Sequence, residues 1–336
     1  MIPAGLIGYG YWGPNLLRNL QLSGRFEVKG VAELERERLE LARRAAPGAR
    51  GYADALELIE QPEIAALVIA SPVATHYPLA RAALERGKHV LIEKPMCRLA
   101  EECQELIALA AARRLALMVD HTFLFTGAVQ KLKELCSSGA LGKVSYYDSL
   151  RVNLGLFQPD VNVLWDLAPH DFSILDFVLG AELVHVEATG HCHVNSNLPD
   201  IAYVTLHCAG GLIAHFNLSW MSPAKVRRVA IGGDRQMVVW DDLDRDEKIR
   251  IYDSGIRLHA PDERFAIVPG YRIGDIHSPR IPNTEALAGV VAHFADVIEG
   301  RAKPIMGGEH GLRVVRMLEA AQAALDASLA RVRGLS

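Results

Sequence analysis

The first third of the chain alternates short, continuously apolar runs with stretches of helical periodicity. The apolar runs are AGLIG, FEVKGVAE, AALVIAS, KHVLIEK and LALMV, and the helical stretches between them cover residues 12–23, 36–46, 75–86 and 99–113. Strands that are apolar at every position, and not only at alternate ones, are typical of a parallel sheet covered by helices on both faces. The pattern therefore predicts a doubly wound α/β domain over residues 1–121.

The pattern changes after residue 121. A helical stretch at residues 127–137 leads into strands in which apolar and polar residues alternate, such as AYVTLHC and LIAHFNLSW. Such alternation indicates strands with one buried face. We expect residues 122–336 to form an α+β domain with an open, mostly antiparallel sheet that serves the substrate and oligomerisation. The helical stretches within residues 284–332 close the chain, and the sequence leaves open which domain they pack on.

Composition narrows the class of protein. The chain has 336 residues, of which 50% are hydrophobic, so it can form two buried cores. Its net charge of −4 gives no indication of a nucleic-acid partner. No uncharged apolar run approaches the roughly 18 residues of a membrane span. The 5 cysteines are odd in number and show no CxxC spacing, which indicates reduced thiols and a cytoplasmic protein.

A glycine motif follows the first predicted strand. In GLIGYGYWGPN, the residues Gly8, Gly10 and Gly13 form the pattern GxGxxG and open the first helix. The first glycine suits a tight turn, the second lets a pyrophosphate approach the backbone, and the third lets helix and strand pack closely. The alternative is a glycine turn without a ligand, but the surrounding strand–helix–strand pattern favours a dinucleotide site.

An acid at the end of the second predicted strand supports this interpretation. Glu33 lies where a carboxylate would bind the ribose hydroxyls of the adenosine, and its charge would repel the 2′-phosphate of NADP. NAD is therefore favoured, although Arg36 nearby keeps NADP as an alternative.

Other candidate residues follow the later strands of the same sheet. ASPVATH provides Ser71, Pro72 and His76, and IEKPM provides Glu93 and Lys94. Ligands of an open parallel sheet lie outside the carboxyl ends of its strands, so these side chains should border the cofactor. The alternative for Lys94 is a solvated lysine paired with Glu93. The predicted cofactor contacts are Gly8, Gly10, Tyr11, Trp12, Gly13, Glu33, Ser71, Pro72, His76, Glu93, Lys94 and Trp165.

The stretch WDLAPHD in the second domain combines two acids with an imidazole. Proline favours the first turn of a helix, so Pro169 predicts a helix that begins between Asp166 and His170. His170 would then lie in the first turn, where the helix dipole favours the neutral imidazole that a proton acceptor requires. Asp166 would lie on the segment that enters the helix, and Asp171 would serve as a partner of the dipole. The alternative is a purely structural histidine.

The chain resembles the Gfo/Idh/MocA family of NAD(P)-dependent sugar and polyol oxidoreductases. The resemblance rests on GLIGYGYWGPN, on VLIEKP and on WDLAPHD, and it covers both domains. It implies a catalytic lysine at Lys94 and a catalytic aspartate and histidine at Asp166 and His170. Within the family, the chain resembles the UDP-N-acetylglucosamine (or uronate) 3-dehydrogenases and the sugar 3-ketoreductases. Glu33 departs from the more usual aspartate without changing the sign of the charge.

The expected function is hydride transfer between NAD and a sugar hydroxyl or ketone, at C3 of a nucleotide-linked sugar such as UDP-N-acetylglucosamine or its uronate. Lys94 would donate a hydrogen bond to the reacting oxygen, and His170 would take its proton. An anionic sugar would suit basic side chains of the second domain, with at most one of Arg227 and Arg228 facing the site. The predicted substrate contacts are Lys94, Arg151, Asn153, Asp166, His170, Lys225 and Arg227.

Several alternatives remain open from the sequence. A neutral polyol or inositol dehydrogenase and a non-catalytic NAD-binding regulator would share the first domain. The run HCH at residues 191–193 has no convergent third ligand, so no metal is expected. The acidic run DDLDRDEK is interpreted as a solvated hairpin. Because an open sheet has a face to cover, we expect a homodimer or a homotetramer.

Overall fold

The computed structural model describes residues 1–155, 157, 161–194, 197–257 and 270–334. The chain divides into two compact units that are each built from two segments. The first unit comprises Met1–Phe125 and Thr284–Arg316, and the second comprises Thr126–Asn283 and Met317–Ser336. Within the described residues, no helix is long and apolar enough to cross a membrane.

The first unit contains a parallel sheet with helices between its strands. The sheet has the order β3-β2-β1-β4-β5-β6, and every neighbouring pair is parallel. The strands β1 and β4 lie at the centre, with β2 and β3 following on one side and β5 and β6 on the other. The elements are β1 Ile2–Ile7, α1 Gly13–Leu22, β2 Phe26–Ala32, α2 Arg36–Ala45, β3 Arg50–Tyr52, α3 Ala55–Ile59, β4 Ala66–Ile69, α4 His76–Glu85, β5 His89–Glu93, α5 Ala100–Arg113 and β6 Leu117–Asp120.

The predicted doubly wound domain is confirmed, and the structure adds the short edge strand β3, which the hydrophobic pattern did not reveal. The central strands β4 and β5 are buried along nearly their whole length because helices cover both faces of the sheet. This is why their sequences are continuously apolar.

The penultimate helix of the chain, α8 (Ala286–Ile298), belongs to the first unit. Its Phe294 stacks on Phe26 of β2 with ring centroids 5.8 Å apart. Arg25, at the start of β2, donates hydrogen bonds to Asp296 at 3.2 Å and to Glu299 at 2.6 Å. Aromatic packing surrounded by ion pairs therefore holds this distant segment against the parallel sheet.

The second unit contains an eight-stranded sheet and a long buried helix. The strand order is β16-β13-β12-β11-β7-β10-β9-β8, and the pairs are antiparallel except for β7 with β10. The mostly antiparallel sheet expected from alternation is confirmed. The elements are α6 Gly127–Ser137, β7 Val144–Leu154, α7 Val163–Leu179, β8 Leu183–His191, β9 Ile201–Cys208, β10 Ile213–Ser219, β11 Met221–Gly233, β12 Met237–Asp241, β13 Ile249–Tyr252, β14 Gly255–Arg257, β15 Gly270–Arg272, β16 Ile276–His277 and, continuing from the first unit, α9 Gly308–Arg333.

The acidic run DDLDRDEK begins at the end of β12 and leads to β13, and the two strands pair in antiparallel register from Met237 with Tyr252 to Trp240 with Ile249. The hairpin expected for this run is therefore confirmed. Two of its acids bind the basic residue that follows: Arg250 contacts Asp244 at 2.9 Å and Glu247 at 2.8 Å.

Candidate active site

The glycine loop lies where the strand order of the first sheet reverses, between β1 and β4. Gly8 adopts φ of 94°, a conformation that favours glycine. A Cβ atom at this position would come within 2.5 Å of the carbonyl oxygen of Ala70, which follows β4. The loop after β1 therefore passes closely over the end of β4, at the point where open α/β sheets bind their ligands.

The other two glycines of the motif have different surroundings. A Cβ atom on Gly13 would lie 2.4 Å from the carbonyl oxygen of Gly8, so this position keeps helix α1 close to the loop. A Cβ atom on Gly10 would meet only the guanidinium of Arg38, at 3.7 Å. The backbone at Gly10 is therefore open to a ligand, with a cation beside it, as a dinucleotide pyrophosphate requires. The residues present fit the cofactor that the motif predicts.

Glu33 follows β2 and points back to the glycine loop. Its carboxylate accepts hydrogen bonds from the backbone N–H of Tyr9 at 2.6 Å and of Glu35 at 3.0 Å. These bonds fix the acid at the mouth of the loop, where the sequence predicts contact with the adenosine ribose. Tyr11 and Trp12 are exposed and pack edge to face, with ring centroids 5.5 Å apart.

His76 has a different role from the one predicted. Its side chain is 1% exposed, and its ring nitrogens lie 2.8 Å from the carbonyl oxygen of Ser71 and 2.9 Å from that of Pro95. Burial lowers the pKa of His76, although the two carbonyls oppose this shift. Because both nitrogens face the protein backbone, His76 does not contact a cofactor directly. It joins the loop after β4 to the loop after β5.

The segment that follows β4 is ordered by short side-chain contacts. The hydroxyl oxygens of Ser71 and Thr75 lie 2.7 Å apart, and the Thr75 hydroxyl donates to the carbonyl oxygen of Pro72 at 2.8 Å. Pro72 itself is exposed at the start of the turn. Because Ser71 and Pro72 follow β4 in the parallel sheet, they lie at the same edge as the glycine loop, and their contact with the cofactor stays a prediction.

Lys94 follows β5 directly and is only partly exposed, and the Lys94–Pro95 peptide bond is cis. Two buried carboxyl groups lie beside it: Glu93, the last residue of β5, and Asp120, the last residue of β6. Burial raises the pKa of Glu93 well above its usual range, and burial raises that of Asp120 to about 6. The charge of Lys94 opposes both shifts. Asp120 was not among the predicted site residues, although it ends an apolar strand just as Glu93 does.

Helix α7 carries the stretch WDLAPHD and begins earlier than the sequence suggested. It starts at Val163 because Asn162 caps it, accepting a hydrogen bond from the backbone N–H of Trp165 at 3.1 Å. The prediction of a start between Asp166 and His170 is wrong. Pro169 lies inside the helix, where it is buried, and the packing of this helix offsets the cost of about 3 kcal/mol that an interior proline carries.

This start changes the relation between Asp166 and His170. Both lie within α7 and are four residues apart, so they share one face of the helix. His170 is the eighth helical residue, beyond the reach of the helix N-terminus, and the expected effect of the dipole on it does not apply. Asp166 accepts a hydrogen bond from the indole N–H of Trp220 at 3.1 Å, which fixes the carboxylate one turn before the imidazole.

Trp165 is also held by its indole. It donates a hydrogen bond to Oε1 of Gln322 in α9 at 3.0 Å, and the amide of Asn162 donates to the same oxygen at 2.8 Å. The contact between Trp165 and the cofactor stays a prediction. Gln322 and Trp220 were not singled out from the sequence, because they come from elements far along the chain that only the fold brings to α7.

The residue after His170 forms a buried ion pair. Asp171 accepts two hydrogen bonds from Arg151 of β7, at 2.6 Å from Nε and 2.9 Å from Nη2, and the two side chains are 1% and 5% exposed. Asp171 is therefore not a partner of the helix dipole. The prediction that Arg151 binds an anionic substrate also needs correction, because its guanidinium fork is buried and directed at Asp171. The pair attaches the helix that carries His170 to the sheet.

The remaining predicted substrate contacts of the sheet lie on β11 and β7. Arg227 is the register partner of Arg151 and donates a hydrogen bond to Asp242 at 2.6 Å. Burial lowers the pKa of Arg227, and the charge of Arg151 adds to this effect. Lys225 is exposed, and the amide of Asn153 donates to the carbonyl oxygen of Leu154 at 3.2 Å. Substrate contact by these residues stays a prediction.

In the run HCH, His193 contacts a buried carboxylate. His193 lies 2.7 Å from Oδ1 of the buried Asp200, whose Oδ2 accepts from the backbone N–H of His193 and Val194 at 2.7 and 2.8 Å. Burial alone would raise the pKa of Asp200, but these hydrogen bonds lower it. In the part of the chain that the structure describes, no group of three or more His, Cys, Asp or Glu side chains is arranged to hold a metal ion.

The fold and this site define a protein with a nucleotide-binding parallel sheet, and comparison with known families specifies its class. Residues 2–121 match the model of the oxidoreductase family with an NAD-binding Rossmann fold, and residues 129–239 match the Gfo/Idh/MocA C-terminal domain. The two models together cover most of the chain. The protein belongs to the Gfo/Idh/MocA family of sugar and polyol oxidoreductases, and its first unit contains an NAD-binding Rossmann domain.

Individual relatives differ in substrate. The chain is 28% identical to UDP-N-acetylglucosamine 3-dehydrogenase of Acidithiobacillus ferrooxidans, over 97% of this chain and 98% of that protein. It is 25% identical to myo-inositol 2-dehydrogenase of Thermotoga maritima, over 75% of each chain. A solved structure of the A. ferrooxidans enzyme has the same fold, with a TM-score of 0.82, 24% identity and coverage of 98% of this chain and 99% of that one. A levoglucosan dehydrogenase solved with NADH also matches, with a TM-score of 0.80, 19% identity and 97% coverage of both chains.

Proposed function

We propose that the protein is an NAD-dependent dehydrogenase that acts at C3 of a UDP-linked amino sugar, such as UDP-N-acetylglucosamine or its uronate. Similarity to UDP-N-acetylglucosamine 3-dehydrogenase over nearly the entire length of both chains supports this substrate class. The observation that carries the catalytic part is the position of Lys94, which follows β5 at the edge of the sheet where the glycine loop lies. A partly exposed ammonium there can act on a substrate bound next to the cofactor.

The chain's own residues supply proton transfer and charge stabilisation. Lys94 donates a hydrogen bond to the reacting oxygen and stabilises the negative charge that develops on it. His170 accepts the proton of the hydroxyl, and Asp166, one helical turn away, orients the imidazole or binds a neighbouring hydroxyl. When bound, the nicotinamide ring supplies the hydride acceptor. The bond between Trp220 and Asp166 and the ion pair between Arg151 and Asp171 keep the catalytic face of α7 in place.

A neutral polyol is the second candidate substrate, and one structural observation favours it. Arg151 is buried in its ion pair and Arg227 is bound to Asp242, so Lys225 is the exposed basic residue among the three side chains proposed for an anionic sugar. A substrate without phosphate would not need them. The similarity to myo-inositol 2-dehydrogenase agrees with this alternative.

Replacement of Lys94 tests the catalytic assignment. Lys94→Met should reduce turnover by about a hundred- to a thousandfold, because the loss of a donor to a developing oxyanion costs about this much. The affinity for NAD should stay within about threefold, since the glycine loop is untouched. The matched control is Lys29→Met, which removes an exposed lysine of β2 and should leave both quantities unchanged.

The assay follows NADH absorbance with UDP-N-acetylglucosamine, its uronate and myo-inositol, while calorimetry measures NAD binding. Full activity of Lys94→Met would refute the role of this lysine. Turnover of myo-inositol without turnover of either UDP-sugar would select the second candidate.

A further inference from the structure

Two carboxyl groups meet at the ends of neighbouring strands in the first unit. Glu93 of β5 and Asp120 of β6 are register partners in the parallel sheet, so both side chains project on the same face of the sheet. Glu93 is 8% exposed and Asp120 is 2% exposed. Buried carboxyl groups seldom occur in contact without a compensating cation or a proton between them.

The hydrogen bonds accepted by the Glu93 and Asp120 carboxyl groups are compatible with one proton between them. Asp120 Oδ1 accepts from the hydroxyl of Thr122 at 2.6 Å, and Glu93 Oε2 accepts from the backbone N–H of Lys94 at 3.2 Å. Asp120 Oδ2 is buried and receives no hydrogen bond from an N–H or O–H group in the described part of the chain. The two carboxyl groups are within hydrogen-bonding range of each other. A proton on one of them supplies the donor that this contact requires.

The electrostatics of the pair agree with one retained proton at neutral pH. Burial raises the pKa of Glu93 well above its usual range, and the charge of Asp120 adds to the shift. Burial raises the pKa of Asp120 to about 6. Both pKa values are shifted upward, which favours a pair that retains a proton where two isolated carboxyl groups would both be ionised.

Other titratable side chains lie near the pair. The ammonium of Lys94 is the positive charge that faces both carboxyl groups. His76 of α4 is buried with both ring nitrogens directed at backbone carbonyls, and burial, with a smaller contribution from the charge of Lys94, lowers its pKa. His121, directly after Asp120, is buried edge to face against His310 of α9, with ring centroids 5.1 Å apart.

We infer that Glu93 and Asp120 share one proton and act as positioning residues for Lys94. The single negative charge of the pair attracts the ammonium of Lys94 less strongly than two negative charges would. When the second proton is lost, the charge doubles, and the ammonium is drawn toward the pair and away from a substrate oxygen. This inference rests on the proposed catalytic role of Lys94, but the shared proton itself does not depend on it.

Infrared spectroscopy of the full chain tests the shared proton without any substrate. The wild-type protein should show the carbonyl stretch of a protonated carboxyl group at pH 7. Asp120→Asn and Glu93→Gln should each abolish this band, because an amide donor lets the remaining carboxyl group ionise. The matched control Glu63→Gln changes an exposed acid of the same unit and should retain the band. A wild-type protein without the band would overturn the inference, as would a band that persists in both variants.

The positioning role requires a second readout. In both variants the charge of the pair is fixed, so the alkaline limb of the kcat profile should move upward by about one pH unit or more. In Asp120→Asn, which leaves every predicted cofactor contact in place, the Kd for NAD should stay within about twofold. An alkaline limb at the wild-type pH in both variants would refute positioning. If the band behaves as expected but no sugar is turned over, the shared proton stands and the proposed function fails.

Discussion

The buried ion pair between Arg151 and Asp171 gives the most direct quantitative prediction. Asp171→Asn keeps the shape of the side chain but removes the charge that two hydrogen bonds, at 2.6 and 2.9 Å, direct at the guanidinium. Because the two side chains are only 5% and 1% exposed, water cannot replace the lost partner. Removal of one member of such a pair costs about 3–5 kcal/mol. We expect a loss of about 3 kcal/mol in the free energy of unfolding, since the amide oxygen still accepts one hydrogen bond.

The double variant Arg151→Met with Asp171→Asn measures the interaction energy between the two side chains apart from their contacts with other residues. It buries no unpaired charge, so its loss should be smaller than the sum of the two single losses by at least about 2 kcal/mol. The control Glu134→Gln removes an acid that is 65% exposed in an ion pair of α6, and it should change stability by less than about 0.5 kcal/mol.

Equilibrium unfolding in urea, followed by tryptophan fluorescence, measures these differences. Trp165, Trp220 and Trp240 all belong to the second unit, so the signal reports mainly on the part of the chain that contains the pair. Strictly additive losses in the double variant would show that the two side chains do not interact energetically and would refute this explanation.

Two further predictions concern the glycine loop and a buried acid. Gly10→Ala should leave the Tm unchanged, because the added Cβ would meet only Arg38 at 3.7 Å. The same variant should weaken NAD binding by at least tenfold in calorimetry. Gly13→Ala should lower the Tm, because its Cβ would lie 2.4 Å from the carbonyl oxygen of Gly8. Unaltered NAD affinity in Gly10→Ala would contradict the pyrophosphate assignment. Hydrogen bonds lower the pKa of Asp200 in the folded state, so its carboxylate stabilises the fold at neutral pH. This stabilisation is lost as the pH falls from the unfolded-state pKa of about 4 through the lower folded-state pKa. Asp200→Asn should therefore be less stable than wild type at pH 7 in urea unfolding, with a difference that shrinks below about pH 4; a constant difference would exclude the linkage.

The sequence revealed most of the first unit because its signals are local. Continuous apolar runs identified strands buried on both faces, and the glycine spacing identified the loop at the reversal of strand order. Glu33 was placed correctly at the end of β2, because this depends only on where the strand stops. Asp120 was overlooked, although the same rule applies to the end of β6.

Burial in the second unit was harder to predict because it depends on contacts between distant segments. Pro169 suggested a helix start, but the cap at Asn162 and the packing of α7 place it inside the helix. Arg151 was predicted to bind the substrate and Asp171 to interact with the helix dipole, but the fold joins the two side chains in the interior. In the first unit, His76 was misinterpreted for the same reason, since its carbonyl partners belong to two loops that only the folded sheet brings together.

The central claim is that Lys94 donates a hydrogen bond to the reacting oxygen of a sugar bound next to the nicotinamide. A crystal structure of the protein with NAD and UDP-N-acetylglucosamine tests it directly. The account predicts that the Lys94 ammonium lies about 3 Å from one sugar oxygen, whose carbon faces the nicotinamide ring. A bound sugar from which the Lys94 side chain is turned away would contradict it.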